Sequence, residues 1–432
     1  MAQSEYEKNT SYTMQEAINE AKRCLRCKVP ACQKGCPINN DIPDFIYQLS
    51  KGNLGEAREI LAKKTNLPAV CGRVCPHEKQ CVGHCVLNAK GNPIQVGGLE
   101  QFIADFDAEM GLIKENIAQK TRGKVAVIGS GPAGLTVAGD LAREGFNVII
   151  YENESEPGGV LLYGIPEFRL PKAVVRREIK KIEALGVTFL TNVTVGKDLT
   201  IDDMFSQNFD AIFIGTGTAL ARDLEIEGRE KSGVIQSTYF LRMIALYNAG
   251  SVDEDEVPVS KEDKVVIVGA GNVAMDAART ALRYGASSVT IVYRKGLEDM
   301  PALKTEYKSA LDEGVEFIWY ADPVEFTGDH TVKGLKFKKD GEIKEIEADV
   351  IMLAVGSRPA SRIVSTTTGI GVNDSGYVIT KDKPYGMTTR KGVFAGGDVV
   401  HKPATVVLAM KEAKKVAEGI ASYVDAIKLL EL

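Results

Sequence analysis

The residues best equipped for chemistry are crowded into one stretch of the chain. All eight cysteines fall between Cys24 and Cys85, spaced Cys24-x2-Cys27-x4-Cys32-x3-Cys36 and Cys71-x3-Cys75-x5-Cys81-x3-Cys85, with a proline directly after Cys36 and Cys75. In a reducing compartment such a local cluster reads as metal ligation before it reads as disulfides. Tetrahedral zinc usually takes two C-x2-C knuckles, and only one is present. Short spacings of two to four with proline after a cysteine suit 4Fe-4S ligation, in which the last cysteine of a run can serve a second cluster.

A second kind of chemistry is written in glycine. Gly129-Ser-Gly131-Pro-Ala-Gly134 follows the β-branched run that starts at Val125 and opens a helical pattern. That order lets the backbone turn sharply and brings a pyrophosphate to a helix N-terminus. Glu152 ends the next apolar run, where a carboxylate would bond a ribose hydroxyl. Gly269-Ala-Gly271-Asn272-Val-Ala274 repeats the loop, but its following strand ends in Arg294-Lys295. An acid there would repel a 2'-phosphate and these cations would attract it, so NADPH is expected over NADH. The plainer reading is a solvated strand end.

These residues need elements to hold them. Thr13-Met-Gln-Glu16 is a capping-box pattern that opens a helix leading into Cys24. Further helices are expected over 54–63 and 99–110, with a polar linker over 113–123. From Lys124 onward short apolar runs alternate with helical patterns, as in βαβ units and parallel sheet. Asp210-Ala-Ile-Phe-Ile-Gly-Thr-Gly217 follows the first loop at the same distance, to within one residue, at which Asp349-Val-Ile-Met-Leu-Ala-Val-Gly356 follows the second. Two similar nucleotide-binding modules are the simplest account. Near the C-terminus an apolar run reaches Gly396-Gly397-Asp398, and a helical pattern starts at Thr405.

Composition narrows the rest. With 53 Lys+Arg against 58 Asp+Glu the net charge is −5, which suits neither a nucleic-acid polyanion nor an acidic membrane surface as partner. No apolar run approaches the roughly 18 residues that span a bilayer. Residues 1–10 lack the order of a signal or transit peptide, so a cytoplasmic protein is expected. The motifs G-x-S-x-G, H-E-x-x-H and the P-loop are missing. Neither nucleotide module contains cysteine, which removes the disulfide exchange that similar folds support. His77, His84, His330 and His401 are scattered and read as packed or surface residues.

The late Gly-Gly-Asp motif with its two glycine loops resembles the flavoprotein superfamily built from two dinucleotide-binding domains. That resemblance implies FAD in the first module, with Asp398 on its ribityl-pyrophosphate part, the helix after Thr405 aimed at the flavin, and Gly158-Gly159 alongside. It also implies that the NAD(P)H module is inserted into a discontinuous FAD module. The cysteine pattern, Gly97-Gly98-Leu99-Glu100, Tyr163-Gly-Ile-Pro-Glu-Phe-Arg-Leu-Pro171 and Gly271-Asn-Val-Ala-Met-Asp276 more closely resemble the glutamate synthase small-subunit family, over nearly the whole chain. That family includes the N-terminal half of dihydropyrimidine dehydrogenase and the large subunit of NADH-dependent ferredoxin:NADP oxidoreductase.

The expected architecture is therefore α/β: a helical iron-sulfur domain over 1–122, a discontinuous FAD domain over 123–235 and 349–432, and an NAD(P)H domain over 236–348. The resemblance implies FAD, NADPH and two 4Fe-4S clusters as cofactors. It assigns Cys36, Cys75, Cys81 and Cys85 to one cluster, and Cys24, Cys27 and Cys32 with Glu100 to the other. Counting cysteines alone would choose Cys71 instead of Glu100. FAD contacts are expected from Gly129, Gly131, Gly134, Glu152, Gly159, Asp398 and Thr405, and NADPH contacts from Gly269, Gly271, Asn272, Arg294 and Lys295. The implied function is an NADPH-oxidising flavoprotein that passes electrons through the clusters to a partner, the glutamate synthase large subunit or a ferredoxin-linked subunit. The large subunit of an electron-bifurcating transhydrogenase is the alternative. A redox-inactive scaffold fits poorly with two complete phosphate loops.

Overall fold

The computed structural model describes residues 12–111 and 117–431. The reading of residues 1–10 and part of the expected linker lie outside them. The chain divides into two compact units, one made of Met1–Leu162, Glu167–Ala219 and Arg358–Leu432, the other of Tyr163–Pro166 and Leu220–Ser357. No helix among the described residues is long and apolar enough to cross a membrane.

The first unit begins with short helices. Thr13 Oγ1 accepts from the Glu16 N–H at 3.3 Å and Glu16 Oε2 accepts from the Thr13 N–H at 2.8 Å, so the capping box starts Met14–Lys22 as its sequence predicts. Ile42–Ser50 and Leu54–Ala62 bury Phe45, Leu49, Ala57 and Leu61 in one core with Leu99 and Ile103 of Val96–Met110. Below them lies a seven-stranded sheet. Its centre is Gly123–Ile128, parallel to Phe146–Tyr151 on one side and to Ala211–Ile214 on the other. Val393–Ala395 continues the parallel order, and Tyr385–Thr388 and Thr380–Asp382 close that edge antiparallel. The runs Val125–Ile128 and Ala211–Ile214 are buried throughout, as strands covered on both faces must be.

The second unit holds a five-stranded parallel sheet in the order Val234–Gln236, Val350–Leu353, Lys264–Val268, Ser288–Tyr293, Glu316–Trp319. An antiparallel sheet of Asp322–Thr327, Gly334–Lys339 and Glu342–Glu347 is added to it in sequence. The repeat seen in the sequence is physical. Asp210 Oδ2 accepts from the Lys124 N–H at 2.7 Å in the first sheet, and Asp349 Oδ2 from the Lys264 N–H at 3.1 Å in the second. Each aspartate ties the start of its strand to the start of the strand that leads into a glycine loop.

Two boundaries differ from those drawn on the sequence. The FAD-binding part was expected over 123–235 and 349–432 around an insert of 236–348, whereas the chain crosses between units at 219/220 and 357/358. The reason is pairing: Ile351 sits between Val234 and Val266, so both flanking strands belong to the second sheet. The helical region also forms one unit with the first sheet instead of standing apart. Asn66 Nδ2 donates to Asp140 Oδ1 at 2.9 Å and to the Thr136 carbonyl at 3.2 Å, and the Ala69 N–H donates to Glu178 Oε2 at 3.2 Å.

Candidate functional site

The first glycine loop shows a separate reason for each glycine. Gly129 adopts φ +94°, and a Cβ there would lie 2.9 Å from the Gly215 carbonyl oxygen. Gly131 caps the helix Pro132–Arg143, and a Cβ on it would meet nothing within 4 Å, so the face its missing side chain leaves is open. Gly134 packs so closely that a Cβ would fall 1.9 Å from the Gly129 carbonyl oxygen. Turn, approach and helix packing are thus divided among three positions, as a pyrophosphate cradle requires.

The carboxylate of Glu152 is buried beside this loop and accepts from the Ser130 N–H at 3.0 Å and the Glu154 N–H at 2.9 Å. Ser130 Oγ donates to Glu152 and accepts from the Gly158 N–H at 2.8 Å. Gly159, at φ +53°, abuts Gly131, with a Cβ placed 2.9 Å from the Gly131 Cα. Ser130 therefore clamps the loop between Glu152 and the Gly158-Gly159 turn. Sequence reasoning passed over it as a variable position of the motif.

Gly397, at φ +76°, would put a Cβ 3.0 Å from Ala133 Cβ, and so seats the Asp398 turn against the same helix start. Burial pushes the Asp398 carboxyl up to about 6, against the pull of the Ala404 N–H and the nearby His401. Thr405 Oγ1 accepts from the Leu408 N–H at 3.3 Å and begins the helix Val406–Glu431. His401 pairs with Glu412 at 3.1 Å, and Glu412 also accepts from the Tyr385 hydroxyl at 2.8 Å.

The second unit builds its own loop by similar rules. Gly269 takes φ +120° with the Ala354 carbonyl oxygen 2.5 Å from a notional Cβ, and Gly271 is again open. Asn272 Oδ1 accepts from the Leu303 N–H at 2.9 Å at the start of Asn272–Tyr284. Arg294 is exposed after Ser288–Tyr293 and takes no ion-pair partner among the described residues. Lys295 lies 3.7 Å from Asp299.

The cysteines fall into two groups, but not those expected. Cys24, Cys27, Cys32 and Cys85 line one cavity beneath Ile42 and Ile46. Burial pushes the Cys32 thiol up to about 11, and the thiolates acting on it are Cys24, Cys85 and Cys27. Burial likewise pushes Cys36 up to about 11, with Glu100 and Cys71 adding to it against the pull of the Asn40 and Ile38 N–H groups. Cys81 is raised by burial and then by Glu100 and Cys36. Cys75 is raised by its hydrogen bond to Cys71, by burial, and by Glu100 and Cys81. Cys85 thus lies with Cys24, Cys27 and Cys32, and Glu100 beside Cys36, Cys75 and Cys81, whereas the expected sets placed Cys85 with the latter three and Glu100 with the former.

The donor set suits metal. Glu100 is 7 % exposed, its Oε1 is buried without a hydrogen-bond partner among the described residues, and burial followed by Glu178 pushes it up to about 8. Acids crowded and buried in this way call for a cationic centre. No three His, Cys, Asp or Glu groups among the described residues come close enough to share a single ion. Thiolates holding a cubane need not converge, because the cluster itself spans the gap. Cys71 touches Cys75 as well, and has Thr65 Oγ1 and Met410 Sδ each 3.8 Å from its sulfur.

Comparison with known proteins agrees with an iron-sulfur region followed by a nucleotide-binding fold. Residues 2–112 match the family described as dihydropyrimidine dehydrogenase domain II, 4Fe-4S cluster, and residues 123–413 match pyridine nucleotide-disulphide oxidoreductase. The glutamate synthase [NADPH] small chain of Halomonas elongata is 35% identical over 96% of this chain and 92% of its own. The NAD-dependent dihydropyrimidine dehydrogenase subunit PreT of Escherichia coli is 36% identical over 98% of this chain and 99% of its own. Among solved structures, Lactococcus lactis thioredoxin reductase matches 72% of this chain and all of that one at 26% identity and a TM-score of 0.55. A 4Fe-4S domain placed ahead of an FAD/NAD(P)-binding fold makes this an oxidoreductase, and the chain belongs to the pyridine nucleotide-disulphide oxidoreductase family, in the branch that contains the glutamate synthase small chains.

Proposed function

We propose that this chain is the NADPH-oxidising electron-input subunit of a cytoplasmic two-component enzyme of the glutamate synthase type. Its nucleotide donor binds at Gly269, Gly271 and Asn272, with Arg294 and Lys295 on the 2'-phosphate. FAD binds at Gly129, Gly131, Gly134, Glu152, Gly159, Asp398 and Thr405. One 4Fe-4S cluster is held by Cys36, Cys75, Cys81 and Glu100, the other by Cys24, Cys27, Cys32 and Cys85. Bound there, these groups supply hydride acceptance and single-electron relay.

The chain's own residues do the positioning. Open backbone at Gly131 and Gly271 admits a pyrophosphate to each helix start. Ser130 and Glu152 keep the first loop from collapsing. The Glu100 set is the more buried, since Glu100 and Cys81 are each 7 % exposed and only Cys36 and Cys75 are partly exposed, while Cys24, Cys27, Cys32 and Cys85 are all partly exposed. That order supports electrons leaving from the Cys85 set to a second redox protein, the glutamate synthase large subunit being the partner its relatives suggest.

The observation that supports this reading is that Cys24, Cys27, Cys32 and Cys85 line one cavity while the buried Glu100 acts on Cys36, Cys75 and Cys81. Its test is composition. Anaerobically purified protein should hold one FAD and about eight iron atoms per chain, and NADPH should bleach the flavin band. Glu100→Ala should lose the EPR signal of one cluster, while Cys71→Ala keeps both. Four irons per chain, or loss of a cluster only in Cys71→Ala, would refute the assignment.

A further inference from the structure

The helix Pro68–Val74 packs near two buried carboxyls, Glu100 and Glu178. Gly72 meets the next helix so tightly that a Cβ would lie 2.6 Å from the backbone nitrogen of Gln101, the residue after Glu100. At its start the Ala69 N–H, about one helical turn earlier, donates to Glu178 Oε2 at 3.2 Å. Glu178 belongs to Lys172–Ala184, a helix of the same unit, and is 0 % exposed. Neither nucleotide loop uses it.

Its neighbours balance its charge only in part. Glu178 Oε1 lies 3.3 Å from Lys181 Nζ, outside hydrogen-bond geometry, and Lys181 also serves Asp107 at 3.2 Å. Asp107 in turn binds Arg58 at 2.9 Å. Of the other cations on these helices, Arg73 and Arg177 are both paired with Asp105 at 2.6 Å and Arg176 with Glu156 at 2.7 Å. The helix whose Ala69 N–H bonds Glu178 is seven residues long, ends at Cys75 and packs through Gly72 on Gln101, so this carboxylate lies one short helix away from Cys75 and Glu100. Charge held in a poorly screened interior acts over several ångströms and opposes the addition of an electron nearby.

We propose that Glu178 sets the reduction potential of the cluster held by Cys36, Cys75, Cys81 and Glu100, holding it below the value the ligands alone would give. This rests on the cluster assignment above. Removing the negative charge should raise that potential, and removing the cation beside it should lower it. A residue that merely supported the fold would not give opposite signs from neighbouring positions.

The experiment is an EPR-monitored redox titration of the holoprotein, comparing the native chain with Glu178→Gln and Lys181→Gln. Gln keeps an oxygen for the Ala69 N–H, so the first variant removes charge with little change of shape. Expected are an upward midpoint shift for one cluster in Glu178→Gln, a downward shift for the same cluster in Lys181→Gln, and no movement of the other. Unmoved midpoints, or equal movement of both clusters, overturn the proposal while leaving the cluster assignment intact. Should Glu178→Gln lose the cluster, Lys181→Gln decides alone, and no downward shift there overturns the proposal. A native preparation with no cluster signal removes the assignment and this inference together.

Discussion

The two glycine loops share a strand, a turn and a helix, yet they differ in what surrounds them. In the first, the third glycine has no room for even a methyl group, the following strand ends in the buried Glu152, and Ser130 ties both to the Gly158-Gly159 turn. In the second, Ala274 occupies the corresponding position, and the strand ends in exposed Arg294 and Lys295. The first loop is locked from inside, as suits a cofactor that stays; the second is open and cationic at its rim, as suits a nucleotide that comes and goes.

The sharpest way to break this contrast is at the third motif position. Gly134→Ala forces a methyl carbon against the Gly129 carbonyl, a rigid backbone partner, so the helix must shift and the cradle with it. The expected result is protein purified without flavin, read from the visible spectrum. Ala274→Gly, the reciprocal change, should cost only about 1 kcal/mol in helix propensity and leave NADPH binding within roughly twofold. Flavin retained in Gly134→Ala would mean that the first loop is no tighter than the second.

The next effect is smaller and concerns the rim. Arg294 has no ion-pair partner among the described residues, whereas Lys295 lies near Asp299. Arg294→Ala should raise KM for NADPH roughly ten- to hundredfold, about 1.5–3 kcal/mol for a charge-assisted bond, with little effect on NADH. Lys295→Ala should do less. Steady-state reduction of a dye with both nucleotides checks this, and equal native rates for NADPH and NADH would end the 2'-phosphate assignment.

What could be read in advance follows the same division. Both loops and the capping box at Thr13 were legible because each is a local pattern, and the aspartates at 210 and 349 showed only as a repeat, since their bonds reach back 86 and 85 residues. The grouping of metal donors was not. Cys81 and Cys85 stand four apart but are not on a continuous helix, so their spacing does not say that they face different centres. Cys71 and Cys75 lie one turn apart at the end of Pro68–Val74, which brings their sulfurs together and leaves Cys71 facing Met410. Unit boundaries failed for a related reason: Ala211–Ile214 and Val350–Leu353 look alike in sequence, and only hydrogen bonding shows which sheet each joins. Ser130 and Glu178 carried no signal beyond residue type.

The smallest effect returns to the first loop and its one acid that is not locked. Asp398 ionises at about 6 in the folded chain instead of 3.8, because burial disfavours its charge. Below pH 4 the carboxyl is protonated folded or unfolded, and its contribution is whole. As pH rises from about 4 to 6 the unfolded chain gives up the proton first, so flavin-free protein loses stability over that window and then levels off. Discounted for the part still reached by water, the loss is about 1–2 kcal/mol. Asp398→Asn should therefore melt higher than the native chain at pH 7 when both are stripped of flavin, and the gap should close by pH 4. A gap of the same size at both values would trace the change to packing, and Asp398 would then be as firmly held as Glu152.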